Sequence, residues 1–271
     1  MKKLIGPFCL TFTLLAGGVG ASSGADYEKG LDAFLAGDYA TALGEFRPLA
    51  ESGHAIAQFT LGVLYDKGLG VPQDFDIALK WYTLAADQGY AGAQTALGEM
   101  YRKGNGVPQD NRIAARWYTL AAEQGHAGAQ YSLGRMYYEG EGISQDHKRA
   151  SGWFILAAEE GHLLAQSQLG VMYATGEGVQ QNLETAVRWF TIAARRGLPS
   201  AQAYLSGMYA LGKGVPRNLI RAHMWGKIAA SNGNTQGARV RDDVSERMTP
   251  SQIEKAEKLA SECIRKQYKE C

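Results

Sequence analysis

The chain has 271 residues, of which 45% are hydrophobic and 20% are charged, and its formal net charge is +1. Loss of the first 25 residues would remove two lysines and no acidic residue, which leaves 26 basic residues against 27 acidic ones and a net charge of −1. Because no basic field remains to hold phosphates, nucleic acid is excluded as an expected partner.

Residues 1–25 show the regions of a secretory signal peptide in their usual order. A positively charged start is followed by an apolar run from Leu4 to Ala16 and then by small residues. The run is too short for a membrane-spanning helix. We predict cleavage before Asp26; a cut after Ala21 and a retained N-terminal anchor helix are the alternatives. The mature protein is then expected in the periplasm or secreted, without a stable membrane anchor.

Residues 26–53 predict a pair of helices that are joined by the short connection Gly37-Asp38. The segment is interpreted as a degenerate first unit of the repeat that follows, because end units face solvent on one side. The residues at helical spacing are Tyr27, Leu31 and Phe34 in the first helix, and Tyr39, Ala42, Leu43 and Phe46 in the second.

Residues 54–233 contain five copies of a 36-residue unit. One tryptophan, one tyrosine and one pair of alanines recur in every copy at this period. A fixed period of this length indicates a solenoid, in which a unit buries its apolar face only against its neighbours. The tryptophans, which we expect in the core, are Trp81, Trp117, Trp153, Trp189 and Trp225.

Every unit predicts two helices. In the second copy, Ala93, Leu97 and Tyr101 share one face of the first helix, and glycines at 104 and 106 follow, which favours a left-handed C-terminal turn. Asp or Asn then precedes the second helix of each copy, where it is expected to cap the free helix N-terminus. These residues are Asp74, Asp110, Asp146, Asn182 and Asn218.

A glycine lies inside the first helix of four copies, where it is less favourable than alanine by about 1 kcal/mol. We expect close approach of the second helix as compensation, with the tryptophan and the Ala-Ala face packed over the gap. In the fifth copy Ser206 stands at this position. The glycines are Gly62, Gly98, Gly134 and Gly170.

Residues 234–271 no longer follow the period and predict C-terminal capping helices that close the open end of the solenoid. Val240, Val244 and Met248 fit one helix. Thr249 and Gln252 have the spacing of a capping box before a second helix.

Cys263 and Cys271 are the cysteines that remain after signal removal. An oxidising compartment favours a disulfide between them. Eight residues of continuous helix would separate them by about 12 Å, which is too far, so the pairing requires the C-terminal end to bend. The sequence leaves the bridged and the free state open.

The pattern A-Q-x-x-L-G-x-x-Y-x-x-G-x-G-V-P-Q-D-x-x-x-A-x-x-W-Y-x-x-A-A-x-x-G-H resembles the Sel-one-like repeat family, a relative of the tetratricopeptide repeats. The resemblance covers about residues 50–233. It implies an all-α fold, a right-handed superhelical solenoid of antiparallel helix pairs that contacts other proteins, often in bacterial envelope or signalling complexes. It implies no shared reaction. Cysteine-rich members that bind β-lactams carry a disulfide in each repeat, and the repeats here contain no cysteine.

In the tetratricopeptide relatives, the first helix of each unit lines the concave face, where peptides bind. By that resemblance, variable residues on this face in the middle units are expected to form a groove for a protein or peptide segment, one with carboxylates in particular. The alternative is that they are ordinary solvated residues. The groove residues are Glu99, Arg102, Tyr131, Arg135 and Tyr138.

The sequence shows no catalytic, cofactor-binding or metal-binding motif. His54, His126 and His162 share one repeat position, which Tyr90 occupies in another copy, so a structural role is expected. The sequence therefore favours a non-enzymatic adaptor in the bacterial cell envelope. A secreted factor that engages a host protein and an enzyme that binds cell-wall material or β-lactams are the alternatives.

Overall fold

The protein is described by a computed structural model that covers residues 25–268 and Cys271, and this part consists of fourteen α-helices without a strand. Residues 1–24 of the predicted signal peptide lie outside the described residues, so cleavage stays a prediction. In chain order the helices are α1 (Tyr27–Ala36), α2 (Tyr39–Glu51), α3 (Ala55–Lys67), α4 (Phe75–Asp87), α5 (Ala91–Lys103), α6 (Asn111–Glu123), α7 (Ala127–Glu139), α8 (His147–Glu159), α9 (Leu163–Thr175), α10 (Leu183–Arg195), α11 (Pro199–Leu211), α12 (Leu219–Ser231), α13 (Thr235–Ser245) and α14 (Pro250–Arg265).

Each helix packs against the next one along the chain, from α1 to α13. In the five repeat units, helix A (α3, α5, α7, α9, α11) is followed by helix B (α4, α6, α8, α10, α12). A typical core cluster combines Ala78 and Tyr82 of one helix B with Leu97 and Met100 of the next helix A. Because the core lies between successive units, no unit buries its apolar face alone, and the predicted all-helical solenoid is confirmed.

The glycine inside helix A makes room for an aromatic ring of helix B. A Cβ on Gly98 would lie 2.7 Å from Cδ1 of Tyr118, closer than two carbons can approach. The Tyr118 side chain is only 1% exposed. The predicted close approach of the two helices is therefore confirmed. The prediction that the tryptophan and the Ala-Ala face pack over the glycine was wrong, because Tyr118, the residue after Trp117, lies there. The equivalent contacts are Gly62 with Tyr82, Gly134 with Phe154, and Gly170 with Phe190.

The tryptophans occupy a more peripheral position than expected. Trp117 is partly buried and packs at the edge of the cluster formed by α4 and α5. Only Trp225 is buried, in a cluster that also contains Ala260 of α14. The expectation that all five are core residues was wrong for the first four, because the neighbouring tyrosine or phenylalanine takes the centre of the interface.

In the first and last units, different residues form the same close contact between the two helices. In the fifth unit, Ser206 replaces the glycine of helix A and Gly226 replaces the ring of helix B. The Ser206 hydroxyl donates a hydrogen bond to the Ala222 carbonyl at 2.7 Å. In the degenerate first unit, a Cβ on Gly30 would lie 3.1 Å from the Phe46 ring. One small residue at the crossing is thus retained along the whole array.

The loop between helices A and B also joins successive units. Gly106 has a φ of +68°, and a Cβ there would lie 2.8 Å from Cβ of Phe75, at the start of the preceding helix B. Asp110 then caps α6 by accepting hydrogen bonds from the backbone N–H groups of Arg112 and Ile113. The predicted caps are confirmed in every unit: Asp74, Asp110, Asp146, Asn182 and Asn218.

A buried glutamine of helix A links each unit to the one before it. Gln58 donates to the Ala50 carbonyl at 3.0 Å, and its Oε1 accepts from Gln88 at 2.7 Å. The Oε1 of Gln130 is buried and has no partner among the described residues, since Glu160, which cannot donate when ionised, stands at the donor position. In the second, fourth and fifth units, the donors to the equivalent glutamine oxygen are Gln124, Arg196 and Asn232 of the same unit.

The C-terminal helices cover the last unit. α13 packs on α11 and α12, as a further helix A would. It contains Val240 and Val244 as predicted but ends at Ser245, so the assignment of Met248 to this helix was wrong. Thr249 and Gln252 form the predicted capping box at the start of α14. α14 packs on α12. No helix within residues 25–268 is both long and apolar enough to cross a membrane.

The C-terminus turns back after α14. The helix ends at Arg265, and Gln267 and Tyr268 adopt left-handed φ values of 51° and 65°. This reversal brings the Cα atoms of Cys263 and Cys271 to 5.3 Å, and a disulfide joins the two residues. The bend that the pairing requires is thus present, and it fixes the last residue against the end of the capping helix.

We predict that Gly98→Ala destabilises the protein by about 1 to 3 kcal/mol, because the new methyl group overlaps the buried Tyr118 ring and the helices must separate. The control is Gly152→Ala, since Gly152 is exposed inside α8 and a Cβ there would contact nothing within 4 Å. This control should gain up to about 1 kcal/mol from helix propensity. Urea unfolding measures both, and equal effects of the two substitutions would contradict the packing argument.

We predict that Glu160→Gln stabilises the protein by about 1 kcal/mol, because the new amide can donate to the buried Gln130 oxygen. Glu159→Gln is the matched control, since it changes the charge by the same amount one residue away. The free energy of unfolding should rise only for the first variant. A rise of the same size in both would assign the effect to net charge.

Candidate protein-binding surface

The five predicted groove residues lie on two helices A of neighbouring units. Glu99 and Arg102 belong to α5, and Tyr131, Arg135 and Tyr138 belong to α7. All five are partly exposed. Arg102 is close enough to Arg135 to oppose the protonation of its guanidinium. The structure therefore brings the predicted residues to one surface, which we call the helix A surface.

Arg102 is already paired within the chain. Its Nε and one terminal nitrogen donate to the two carboxylate oxygens of Glu99, both at 2.9 Å. Lys103 lies 2.7 Å from the same carboxylate, and the Tyr118 hydroxyl donates to it at 2.7 Å. Burial alone would raise the pKa of Glu99, but these hydrogen bonds outweigh it and hold the pKa at about 2. Glu99 is thus ionised at neutral pH and neutralises its arginine.

Arg135 is paired in the same manner. One terminal nitrogen donates to both carboxylate oxygens of Glu139, at 2.9 and 2.8 Å, along one turn of α7. This hydrogen bonding to the Glu139 carboxylate raises the pKa of the Arg135 guanidinium. Sequence reasoning placed the arginines correctly on this surface but missed their acidic partners, although spacings of three and four residues in a helix signal such pairs.

The two tyrosines are held by aromatic neighbours. The Tyr131 ring stacks on His162 with a centroid distance of 4.5 Å, and the Tyr138 ring stacks on His147 at 4.8 Å. The Tyr138 hydroxyl donates to Glu177, in the loop of the fourth unit, and this hydrogen bond together with burial raises the pKa of Tyr138 to about 12. Both rings are therefore fixed in position while part of each remains accessible.

Tyr204 extends the helix A surface, and sequence reasoning missed it. It is 48% exposed on α11, and its ring stacks on Phe190 at 4.7 Å. Tyr204 also lies near enough to Tyr138 to contribute to the raised pKa of that residue. The available signal was a tyrosine at a repeat position otherwise held by smaller residues. Those residues are Thr60, Ala96, Ser132 and Gln168.

The histidines at the repeat position cap helices A, which gives their structural role a mechanism. The Nδ1 atoms of His54, His126 and His162 accept hydrogen bonds from the backbone at 3.2–3.3 Å. Tyr90 and Leu198 occupy the same position without a side-chain cap. Burial, helped by nearby Arg196, lowers the pKa of His162 to about 4. The neutral ring is thus the form that the fold requires.

Across residues 25–268 and Cys271, no group of three or more His, Cys, Asp or Glu side chains is arranged to hold a metal ion. The surface contains paired charges and stacked rings, which suit the recognition of another molecule.

The helix pairs, their period and their caps agree with the Sel1 repeat. The Sel1 repeat family matches five consecutive segments, residues 55–90, 91–126, 127–162, 163–198 and 199–234. The chain belongs to the Sel1 repeat family. Sel1 repeats form a scaffold that is generally non-catalytic and commonly binds protein partners. No curated protein matches the chain.

Solved Sel1 repeat structures share this fold. A Sel1 repeat protein from Oxalobacter formigenes is 33% identical, with a TM-score of 0.75, over 89% of this chain and 96% of that one. A protective antigen present in uropathogenic Escherichia coli strains, with an SLR fold, is 35% identical, with a TM-score of 0.74, over 82% of this chain. The chain spans 49% of that antigen's length, about half.

The His162 cap generates a pH prediction. The unfolded chain binds a proton near the ordinary pKa of 6.5, while the folded protein binds it only near pH 4, so stability falls as the pH drops through this interval. His162→Asn keeps a cap but does not titrate. Between pH 6.5 and 4.5, the free energy of unfolding should fall less in the variant than in the wild type. The difference between the two slopes should approach about 1.4 kcal/mol per pH unit. Urea unfolding at several pH values measures this, and parallel curves would contradict it.

Proposed function

We propose that this Sel1 repeat protein is a non-enzymatic adaptor of the bacterial cell envelope that holds a partner protein or peptide on its helix A surface, the concave face of the superhelix. The observation that carries the proposal is the contrast between positions. The core positions of helix A repeat in every unit, while the exposed ones differ from unit to unit. At the position of Arg102, the first four units have the partly exposed residues Asp66, Arg102, Tyr138 and Ala174, whereas Ala210 of the fifth unit is buried.

Tyr131, Tyr138 and Tyr204 are the expected anchors of a partner. Each ring is stacked on another ring of the protein, so little side-chain freedom is lost when a partner binds. Tyrosine is also enriched among the residues that dominate binding energy at interfaces. Two of these rings lie on α7 and the third lies on α11, two units further along the array, which favours the recognition of an extended segment that crosses several units.

The arginines have a smaller role than the sequence alone indicates. A carboxylate of the partner must compete with Glu99 for Arg102 and with Glu139 for Arg135. Exposed ion pairs contribute only about 0 to 1 kcal/mol each, so the exchange of one carboxylate for another changes the affinity little. We therefore propose that the aromatic contacts determine affinity and that the paired charges determine the orientation of the segment.

The periplasmic location is also part of the proposal, and the order of regions in residues 1–25 supports it. A secreted factor that engages a host protein is the second candidate, favoured by the 35% identity to the protective antigen of uropathogenic Escherichia coli strains. Fractionation of cells, periplasm and culture medium distinguishes the two locations.

The test is photo-crosslinking in living cells with a benzophenone amino acid at position 138 or 204, and at exposed Glu159 on helix B as the control. We expect the same adduct from the two positions on the helix A surface and none from the control. Purified protein with Tyr138→Ala and Tyr204→Ala should then bind the identified partner at least about tenfold more weakly. Adducts from position 159 alone, or unchanged binding by the double variant, would contradict the proposal.

A further inference from the structure

A second surface lies on the helix B side of the second and third units. An open groove of about 530 Å³ runs between α6 and the following A–B loop. Its floor is apolar, with Ala115 and Ile143, and Leu120 at its edge is 47% exposed. Arg112 and Arg116 line it one helical turn apart. We call this the α6 groove.

The two arginines of the α6 groove differ from those of the helix A surface. Within residues 25–268 and Cys271, neither guanidinium donates a hydrogen bond or forms an ion pair, whereas Arg102 and Arg135 both have carboxylate partners. Both groove arginines are exposed. An anionic group entering this groove therefore meets two positive charges without displacing an internal carboxylate.

The second unit alone carries two basic residues at these repeat positions. The corresponding pairs combine an acidic with a basic residue, or a basic residue with glycine, or are apolar. In the other units the pairs are Asp76 with Lys80, Lys148 with Gly152, Glu184 with Arg188, and Ile220 with Met224.

The protein itself shows what kind of segment fits the outer face of a helix B. α14 packs on α12 through its buried residues Ala256, Ala260 and Cys263. Its Glu257 forms an ion pair with Lys227 of α12 at 3.0 Å. Ile228 of α12, at the repeat position of Leu120, is completely buried there. An amphipathic helix with a carboxylate beside its apolar face thus already occupies this position in the last unit.

We propose that the α6 groove docks an amphipathic helix of a partner protein, with acidic side chains about one turn apart that pair with Arg112 and Arg116 and with an apolar face that covers Leu120. The charges and the floor of the groove complement such a helix, and the packing of α14 on α12 provides its geometry. This site is separate from the helix A surface, so one chain can hold two partners at once.

The probe is a fluorescent peptide with the α14 sequence, residues 250–265, with Lys255→Glu, Lys258→Glu and Cys263→Ala. Fluorescence anisotropy should show saturable binding to the full chain that weakens with salt. Arg112→Glu with Arg116→Glu should weaken binding at least about tenfold. Arg188→Glu, at the repeat position of Arg116 in α10, is the matched control and should leave binding unchanged. Because both groove arginines are exposed and unpaired among the described residues, the double variant should keep its fold, as circular dichroism can verify.

A charge-swapped peptide, with lysines in place of all its glutamates, provides the decisive arm. It should bind the double variant better than the wild type, which a general loss of folding cannot produce. Absence of saturable binding to the wild type up to about 1 mM would overturn the proposal. Equal binding of the peptide to the wild type and to the double variant would also overturn it. So would arginine-dependent binding of anionic lipid vesicles without binding of the peptide.

Discussion

The contact between a small residue of helix A and an aromatic ring of helix B determines how closely the helices of a unit can pack. At Gly98 the ring of Tyr118 occupies the volume of the missing side chain, and three further units repeat the arrangement. The ring is also part of the core toward the next unit, so the same residue controls packing within a unit and between units. In the fifth unit the exchange to Ser206 and Gly226 preserves the close approach. The stability of the array therefore depends on a position where local propensity is unfavourable.

This division of roles explains why function has to be sought in exposed residues. Core, cap and loop positions are committed to packing in every unit, so under the proposed function partner choice can vary only at exposed positions, such as those of the helix A surface and the α6 groove. The helix A surface carries fixed rings and internally neutralised arginines, and the α6 groove carries arginines whose charge is not neutralised by a described ion pair. The proposed aromatic recognition on the helix A surface and the proposed charge recognition in the α6 groove thus use the same scaffold.

Much of the fold could be predicted from the sequence, because period, caps and left-handed glycines are local signals. The choice between Trp117 and Tyr118 as the core ring could not, since both lie close together on the helix and only the helix crossing decides which one is enclosed. The ion pair of Arg102 could be predicted from Glu99, which lies three residues away on the same helix. The hydrogen bond that Tyr118 donates to the Glu99 carboxylate could not, because it depends on tertiary packing. The Cys263–Cys271 pairing depends on left-handed Gln267 and Tyr268, residue types that give no such signal.

The most direct test of the packing account is a double-mutant cycle at one crossing, with Gly134→Ala, Phe154→Leu and the two combined. If the ring fills the space of the absent methyl group, a smaller side chain at 154 should make room for alanine at 134. We then expect the double variant to be more stable than the sum of the single effects by about 1 kcal/mol or more. Strict additivity in the unfolding free energies would show that the two positions do not share this space, and would contradict the account.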